Sequence, residues 1–461
     1  MEDNEILVFP TNFKFGSSTA AFQVEGDSGE RNTDWDEFLK NNSNIVRPDE
    51  KGPEWWKKGK AEVDLTAMSE LGLKVQRIGF EWARIEPEKG IINYNAIKRY
   101  KEIIKHIFEV GMSPMVTLNH FTLPSWIVKE GSWEAPHIAL YFERYTELMI
   151  AEFPEVTHWI TINEPNILVI MSYFTRYFPP QKGSLRSAMK ARHNMIEAHR
   201  RSYHMIKDKN PNAKAGASFA FRWDRAASAS DPFERAYTSF VNYLSELSYV
   251  DAMAKTSDFI GCNFYAGYFL NLNLLKWRVS MSLSNRRLPE VLLFGEVKTP
   301  DAYESEYRWP IVPDFLLNAL HVLNKNYKLP IIITENGIAD SHDKLRSFYI
   351  LTHLVAVWRA LHEGIPIHHY FHWSTVDNIE WIEGYSKKFG LLELDPITGK
   401  RKLRGSAQLY KEIATSGKID INHMINTYIT DDDQKEKATT TIRMLLRGEL
   451  SRRIKRDIPK V

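Results

Sequence analysis

The stretch from Pro330 to Gly337, which reads Pro-Ile-Ile-Ile-Thr-Glu-Asn-Gly, carries the clearest fold signal in the chain. Its three consecutive isoleucines have no polar residue between them, so the strand that they predict must be covered on both faces. Strands buried on both faces are typical of parallel sheets with helices packed on either side. The stretch therefore predicts one strand of a parallel sheet in an α/β protein, with Glu335 at its carboxyl end.

The same pattern, a short apolar run followed by a longer helical segment, repeats along the chain. The predicted strands cover residues 15–22, 74–80, 113–119, 157–163, 213–219, 258–264, 330–334 and 366–372. The predicted helices cover residues 64–71, 95–110, 136–153, 185–209, 234–254, 313–327, 343–363 and 403–415. Eight alternations favour a closed (β/α)8 barrel with inserted loops. An open doubly wound sheet is the alternative, but no Gly-x-Gly-x-x-Gly turn follows any predicted strand.

The composition limits the classes of protein to which the chain can belong. The 461 residues are 43% hydrophobic and 26% charged, which is typical of a globular protein. The net charge of +2 provides no global field to recruit nucleic acid. One cysteine, Cys262, excludes an internal disulfide and a multi-cysteine metal site. Length alone allows about three domains, but the alternation predicts one barrel over 1–417 and an extension over 418–461.

Polar side chains follow almost every predicted strand, at the end where barrel enzymes carry their chemistry. These side chains belong to Gln23, Glu25, Glu81, Trp82, Asn119, His120, Asn163, Glu164, Asn263, Tyr265, Glu335, Asn336, His372 and Trp373. The fifth strand has no obvious residue of this kind. Seven strand ends that converge on one face of a barrel favour a catalytic site over isolated loop caps.

Two glutamates stand out among these residues. Glu164 ends the fourth strand in Thr-Ile-Asn-Glu-Pro, and Glu335 ends the seventh, which lies across the barrel. Two carboxylates that flank a small ligand are what a retaining glycosidase needs, one as nucleophile and one as acid and then base. Arg77 on the second strand should point inward, where its charge would keep a nearby glutamate ionised.

The motifs at these positions resemble glycoside hydrolase family 1, the β-glucosidase and β-galactosidase family. The resemblance runs from Phe9 to Ala414 and suggests an archaeal-type or thermophilic member. Besides the two glutamate motifs, it is carried by Phe-x-Phe-Gly at 13–16, Ala-Phe-Gln-Val-Glu-Gly at 21–26, Arg-Ile-Gly-Phe-Glu-Trp-Ala-Arg at 77–84, Asn-Phe-Tyr at 263–265, and the Trp-Ser and Asp-Asn-Ile-Glu-Trp blocks within 373–381.

The resemblance implies a retaining exo-β-glycosidase that removes terminal β-glucosyl residues, and galactosyl or fucosyl residues as well. It implies that Glu164 is the acid/base, that Glu335 is the nucleophile, and that Arg77 and Tyr265 contact the nucleophile. We expect a raised pKa for Glu164 and a lowered pKa for Glu335. No metal or organic cofactor is expected, because carboxylates perform this chemistry. The residues implied in sugar binding are Gln23, His120, Phe121, Asn163, Asn263, Trp373, Glu380 and Trp381.

Three alternatives to hydrolysis of small β-glycosides or oligosaccharides stay open. The chain could transfer the sugar to an alcohol or lipid acceptor, cut inside polymers as an endoglycanase, or bind carbohydrate without catalysis. A pocket closed by Gln23, Glu380 and Trp381 around a terminal sugar argues against the endoglycanase. The presence of both glutamates argues against the non-catalytic protein. Nothing in the sequence decides between water and another acceptor.

Three regions depart from the family pattern. Phe121 stands where many members have tryptophan, which removes an indole donor at the edge of the sugar site. The second departure is the segment 220–257, which is shorter than usual and lacks the loop that helps to wall the entrance of the aglycone site in the family. The insertion 269–304 is expected to supply the missing wall of the aglycone site.

The third departure is the tail, in which apolar residues recur every fourth position from Ile442 to Ile458 with basic residues between them. This spacing predicts a basic amphipathic helix within 435–461 that packs on the barrel or on a second copy, or else contacts anionic lipid. The acidic first residues, with no apolar run after them, favour a cytoplasmic protein, membrane-associated only if the tail binds lipid. Five glutamines and one cysteine are few for this length and favour heat adaptation.

Overall fold

The computed structural model describes residues 6–26, 31–271, 296–297, 299 and 301–448. Eight described strands close into a barrel in which each strand lies beside its neighbour in sequence, and all pairs are parallel. The predicted (β/α)8 barrel is confirmed. The strands are β1 (Lys14–Ser18), β2 (Val75–Gly79), β3 (Ser113–Asn119), β4 (His158–Asn163), β5 (Lys214–Phe221), β6 (Phe259–Phe264), β7 (Ile331–Asn336) and β8 (Ile367–Trp373).

A helix follows each strand, as the sequence pattern predicts. These helices are α1 (Lys60–Glu70), α2 (Tyr94–Glu109), α3 (Ile138–Glu152), α4 (Leu185–Lys209), α5 (Pro232–Asn242), α6 (Pro313–Tyr327), α7 (Arg346–His362) and α8 (Ser406–Ser416). The predicted helix 234–254 is interrupted, because α5 continues through a π-helical turn at Tyr243–Leu247 into a further helix at Ser248–Met253. A second π-helical turn, Val169–Phe174, lies after β4. Both π-helical turns line the cavity described below.

The three isoleucines of β7 are buried on opposite faces of the strand. Ile331 and Ile333 belong to the large hydrophobic cluster, which also holds the buried faces of the outer helices. Ile332 packs in a separate small cluster with residues of five other barrel strands, Val75, Met115, Ile160, Phe259 and Phe371. The continuous apolar run therefore reflects a strand with the helix layer outside it and a filled barrel interior inside it.

Register shifts on β4 and β7 bring both glutamate motifs to the site. On β4, Thr161 contacts His199 of α4 outside the barrel, whereas Asn163, two residues later, contacts Arg77 inside it. Strict alternation would place both side chains on the same face, but the pairing of β4 with β5 shifts between Ile160 and Asn163. A similar shift lies between Ile333 and Glu335 where β7 pairs with β6. Such bulges re-aim side chains next to active sites.

The first predicted strand is too long at its carboxyl end. β1 stops at Ser18, and Ala21–Glu25 forms a short helix whose residues are all buried. Gln23 therefore lies on a helical turn above the barrel and not directly on a strand. The run of small residues at 16–21 did not distinguish between strand and turn.

The chain after α8 packs back against the barrel. The strand Lys418–Asp420 pairs antiparallel with Ile6–Val8 and leads to α9 (Ile421–Tyr428) and α10 (Asp432–Arg447). α10 packs on α7, where the Arg359 guanidinium donates to the Leu446 carbonyl at 2.9 Å. Helix α10 ends at Gly448, which adopts a left-handed conformation.

Helix α10 covers only part of the amphipathic helix predicted for the tail. Ile442 and Leu445 are buried within that part. Leu450, Ile454 and Ile458 lie outside the described residues. Within the described ranges, no helix combines the length and the apolar character that crossing a membrane requires.

Candidate active site

Arg77 on β2 organises the centre of the site. Its guanidinium is fully buried and donates to Glu335 Oε1 at 2.6 Å, to Asn163 Oδ1 at 2.7 Å and to the Thr334 carbonyl at 3.1 Å. The Tyr265 hydroxyl donates to the other oxygen of Glu335, also at 2.6 Å. Both carboxylate oxygens of Glu335 are thus held by charged or strongly polar donors, which fixes the orientation of the carboxyl group.

Glu164 lies directly after β4, in a left-handed backbone conformation with φ of 45°. Non-glycine residues in this region are strained and are often found at active sites. The Glu164 amide donates to the Ser218 carbonyl on β5 at 2.7 Å, which anchors the turn before Pro165. Its carboxyl Oε1 accepts a hydrogen bond from Asn263 Nδ2 at 2.8 Å. Glu164 thus has a neutral amide as its partner, in contrast to Glu335.

The two carboxyl groups differ in their affinity for a proton. Burial and the nearby charge of Glu335 raise the pKa of Glu164 to about 8. Burial also raises the pKa of Glu335, although Arg77 and Tyr265 oppose that effect. The prediction that Glu335 titrates below its ordinary range is therefore wrong, because desolvation outweighs the ion pair. The contacts still favour the proton on Glu164 and the charge on Glu335, since Arg77 lies against Glu335.

His120 contributes an imidazole that is neutral at pH 7. Burial and the charge of Arg77 hold its pKa well below the ordinary value. The Asn163 amide donates to His120 Nε2 at 3.2 Å, which leaves the proton on Nδ1. Among the described residues, Nδ1 has no hydrogen-bond partner although it is buried. A ligand hydroxyl would satisfy this donor.

Gln23 and Glu380 lie close to each other at the edge of the cavity. The Gln23 amide donates to Asn378 Oδ1 and to the Ile379 carbonyl, and its own carbonyl has no partner in the described chain. Glu380 accepts from the Trp373 indole at 3.3 Å. Burial raises the pKa of Glu380 well above its ordinary value. Its carboxyl group can accept hydrogen bonds from sugar hydroxyls.

Aromatic rings surround these polar groups. Trp373 ends β8 and stacks against His120, and Trp381 stacks against both His120 and Phe22. Phe121 is buried, with its ring 4.9 Å from that of Trp381. The residues predicted for sugar binding therefore meet around one cavity of about 330 Å³, with Asn163 among them as the partner of Arg77 and His120.

Some strand-end residues have structural partners instead. Glu25 forms an ion pair with Arg84 at 2.6 Å, and Glu81 accepts from the Thr122 hydroxyl and caps the short helix after β2. Asn336 donates to the Phe264 carbonyl and to Tyr349. These contacts position the loops around the site. The side chains of Glu25, Glu81 and Asn336 do not line the cavity.

The fifth strand, for which the sequence shows no obvious site residue, does contribute to the cavity. Ala220 and Phe221 of β5, with Arg222 and Asp224 after it, line the cavity, and so does Glu246 on the π-helical turn. No short motif at the end of β5 indicates these residues, because two of them are apolar and Glu246 lies 25 positions after the strand. Most of the insertion 269–304 lies outside the described residues. The loop after it contributes Tyr307 and Trp309 to the cavity wall.

A (β/α)8 barrel with paired glutamates at the ends of β4 and β7 defines a glycoside hydrolase of the barrel type. Comparison with known families agrees, because the model of glycosyl hydrolase family 1 matches residues 6–254 and 246–419. The chain belongs to glycosyl hydrolase family 1 and is an enzyme of that family.

Individual relatives extend over most of the chain. β-Glucosidase A of Thermotoga maritima is 28% identical over 456 residues, which cover 89% of this chain and 99% of that protein. A chloroplastic galactolipid galactosyltransferase of Arabidopsis thaliana is 30% identical over 388 residues, which cover 79% of this chain and 58% of that protein. The solved structure of a β-glycosidase from Pyrococcus horikoshii matches with a TM-score of 0.81 and 29% identity, over 93% of this chain and 100% of that one.

Proposed function

We propose that the protein is a retaining exo-β-glycosidase that hydrolyses terminal β-glucosyl residues and also accepts galactosyl and fucosyl residues. The observation that carries this proposal is the pair of glutamates in one cavity, one held by Arg77 and Tyr265 and the other with a pKa raised to about 8. Small β-glycosides and oligosaccharides are the substrates of the reaction.

The chemistry follows from the different partners of the two carboxyl groups. The Glu335 carboxylate attacks the anomeric carbon, and the glycosidic C–O bond breaks as Glu164 transfers its proton to the departing oxygen. Glu164, now ionised, removes a proton from water, which attacks the anomeric carbon and releases Glu335. The configuration is retained because the carbon is inverted twice. Both oxygens of Glu335 are bonded beforehand, so that little reorganisation is needed.

The surrounding residues are proposed to bind the sugar. Asn163 lies between Arg77 and His120, where it can bond the hydroxyl next to the anomeric carbon. The unpartnered Nδ1 of His120 and carbonyl of Gln23, together with Glu380, offer donors and acceptors to the remaining hydroxyls. Trp373 supplies an apolar platform for the ring.

A mechanism-based label tests this proposal. The protein is incubated with a 2-deoxy-2-fluoro β-glucoside carrying a good leaving group, and the labelled peptide is sequenced by mass spectrometry. We expect the label on Glu335 and a parallel loss of activity. Label on another residue, or full activity without label, would refute the assignment of the nucleophile.

Transfer to an alcohol is the second candidate function. It is favoured by the apolar residues that line the side of the cavity after β4 and β5, and by the 30% identity to a galactolipid galactosyltransferase. Product analysis with an aryl glucoside and added octanol measures the ratio of octyl glucoside to glucose. Excess octyl glucoside at low octanol concentration would favour transfer, and its absence would leave hydrolysis.

The remaining proposals concern the domain organisation, the role of the tail and the location of the protein. We propose one catalytic barrel over 1–417 and an extension over 418–461 that stabilises it, in a cytoplasmic protein. The burial of Ile442 and Leu445 against α7 supports packing of the tail over lipid contact. Deletion of 449–461, followed by co-sedimentation with anionic liposomes and by light scattering, tests membrane contact and self-association separately.

A further inference from the structure

The wall of the cavity that is formed after β4, β5 and β6 differs in chemistry from the rest. Its side chains are mostly apolar: Ile167, Ile170, Met171, Ala220, Phe221, Val241, Ala266 and Tyr268. Arg222 and Asp224 on this wall form an ion pair with each other at 2.9 Å. If the sugar occupies the polar side, as the proposed function requires, this wall faces the aglycone.

Glu246 differs from the other polar residues on this wall, because Asn166, Ser245 and the Arg222–Asp224 pair bond within the protein. Glu246 lines the cavity from the π-helical turn Tyr243–Leu247 and is only 3% exposed. Its Oε1 accepts from the backbone amides of Arg222 and Trp223, at 2.9 Å and 3.3 Å. Its Oε2 has no hydrogen-bond partner in the part of the chain that the structure describes. A buried polar atom without a partner is costly, and native proteins rarely retain one without a use.

Two other cavity residues also have a buried polar atom without a hydrogen-bond partner in the described chain. Among the described residues that line the cavity, the buried polar atoms without a partner are Gln23 Oε1, His120 Nδ1 and Glu246 Oε2. The first two belong to the proposed sugar site, where ligand hydroxyls would satisfy them. Glu246 lies outside that set, on the wall after β5. Glu246 Oε2 is therefore a position outside the proposed sugar site that can form a hydrogen bond with a ligand.

We propose that Glu246 binds a hydroxyl group on an otherwise apolar aglycone, a chain or ring that lies along the wall after β4, β5 and β6. The apolar side chains cover the body of such an aglycone, and Glu246 Oε2 supplies its hydrogen bond. A second sugar would leave several hydroxyls against apolar side chains, which costs free energy for each unpaired group. The proposal rests on the proposed function, because it needs the sugar in the polar part of the cavity.

Protonation of Glu246 gives the proposal a pH signature. Burial and the carboxylate of Asp224 raise the pKa of Glu246 to about 8, against the opposing charge of Arg222, and the buried thiol of Cys262 is the other titratable group near it. Below that pH, Glu246 can donate to or accept from a hydroxyl. Above it, the carboxylate forms a stronger, charge-assisted bond with the hydroxyl, whereas a plain alkyl group would leave the charge unpaired.

The test uses alkyl β-glucosides and ω-hydroxyalkyl β-glucosides of matched chain length. The measured quantity is the ratio of kcat/KM for the hydroxylated substrate to that for the plain one, at each length. Any change in the protonation of Glu164 or Glu335 affects both substrates equally and therefore cancels in this ratio. The variants are Glu246→Leu, which removes both oxygens, and Glu246→Gln, which keeps an acceptor for the two backbone amides and a donor for the ligand.

At the best chain length, we expect Glu246→Leu to lower the ratio about 5-fold, and Glu246→Gln to preserve it. In the unchanged protein the ratio should rise as the pH passes about 8, and in Glu246→Gln it should stay flat. An equal ratio in all three proteins at every length and pH, or a ratio that falls as far in Glu246→Gln as in Glu246→Leu, would overturn the proposal. If Glu246→Leu does not fold, the proposal is tested by comparing the pH dependence of the ratio in the unchanged protein with that in Glu246→Gln. Labelling of Glu335 by the fluoro-glucoside is read in parallel, so that failure of the aglycone site and failure of the proposed function remain distinguishable.

Discussion

The polar side of the cavity and its aglycone wall are built from different parts of the fold. On the polar side, Arg77, Asn163 and Glu335 come from barrel strands, and Asn163 and Glu335 both accept hydrogen bonds from Arg77. On the wall, most side chains come from segments that follow the strands, including both π-helical turns, although Ala220 and Phe221 end β5, and most of them are apolar. The barrel strands therefore position the reacting groups, whereas the segments after the strands contact the leaving group and can vary without disturbing those reacting groups.

Loss of the nucleophile should have the largest effect, and it tests whether the polar side performs the reaction independently of the aglycone wall. Glu335→Gln should lower kcat/KM by about 10⁴-fold or more for every glycoside, whatever its aglycone, since no other group can attack the anomeric carbon. Initial rates with an aryl and an alkyl glucoside measure this. Glu88→Gln, at an exposed position, is the matched control and should retain full activity. A loss confined to one aglycone would contradict the division.

Removal of the acid should depend on the leaving group. Glu164→Gln should lower kcat/KM by about 10² to 10⁴-fold for alkyl glucosides, because the departing alkoxide needs a proton. A 2,4-dinitrophenyl glucoside needs no such proton and should lose much less. Added azide should restore turnover of the dinitrophenyl substrate as glucosyl azide. Equal losses for both leaving groups would argue against Glu164 as the acid.

The pH profile tests the protonation of the same pair. Glu164 acts as an acid only while protonated, and its pKa is raised to about 8. The kcat/KM should therefore be maintained up to that pH and then fall about tenfold per pH unit. On the acid side it should fall as Glu335 gains a proton. The alkaline fall should disappear in Glu164→Gln measured with the dinitrophenyl substrate, and its persistence there would assign it to another group.

A change on the wall should affect one class of substrate only. Met171→Gln keeps the size of the side chain but places an amide against an apolar aglycone. We expect kcat/KM for octyl glucoside to fall about 5-fold and that for methyl glucoside to stay unchanged. Met189→Gln, at a position 57% exposed on α4, is the matched control. Equal losses for both glucosides would show that the wall also supports the sugar side.

A change remote from both sides should alter stability alone. Leu445 is fully buried where α10 packs on α7, whereas its neighbour Met444 is 40% exposed. Leu445→Ala should lower the free energy of unfolding by about 2–4 kcal/mol, and Met444→Ala should lower it by much less. Thermal unfolding measures both, with kcat/KM unchanged in each. A melting temperature below about 60 °C for the parent protein would count against the heat adaptation predicted from its composition.

Several elements could be predicted from the sequence because their signals are local. The apolar runs and the helices between them predict the barrel, and the motifs around Glu164 and Glu335 place the carboxylates at strand ends. The end of β1 could not be predicted, since small residues at 16–21 suit a strand and a turn equally. The wall residue Glu246 could not be found either. It reaches the cavity through a π-helical turn, and no short pattern around it indicates that geometry.

The barrel, its family and the two glutamates can be identified from the sequence, because periodicity and short motifs depend on residues near one another in the chain. The direction of the pKa shift at Glu335, the re-aimed side chains of β4 and β7, and the chemistry of the aglycone wall appear only in the folded chain. Each of these depends on desolvation or pairing between segments that are far apart in sequence. Burial, for example, outweighs Arg77 at Glu335 only because the closed barrel removes water from both.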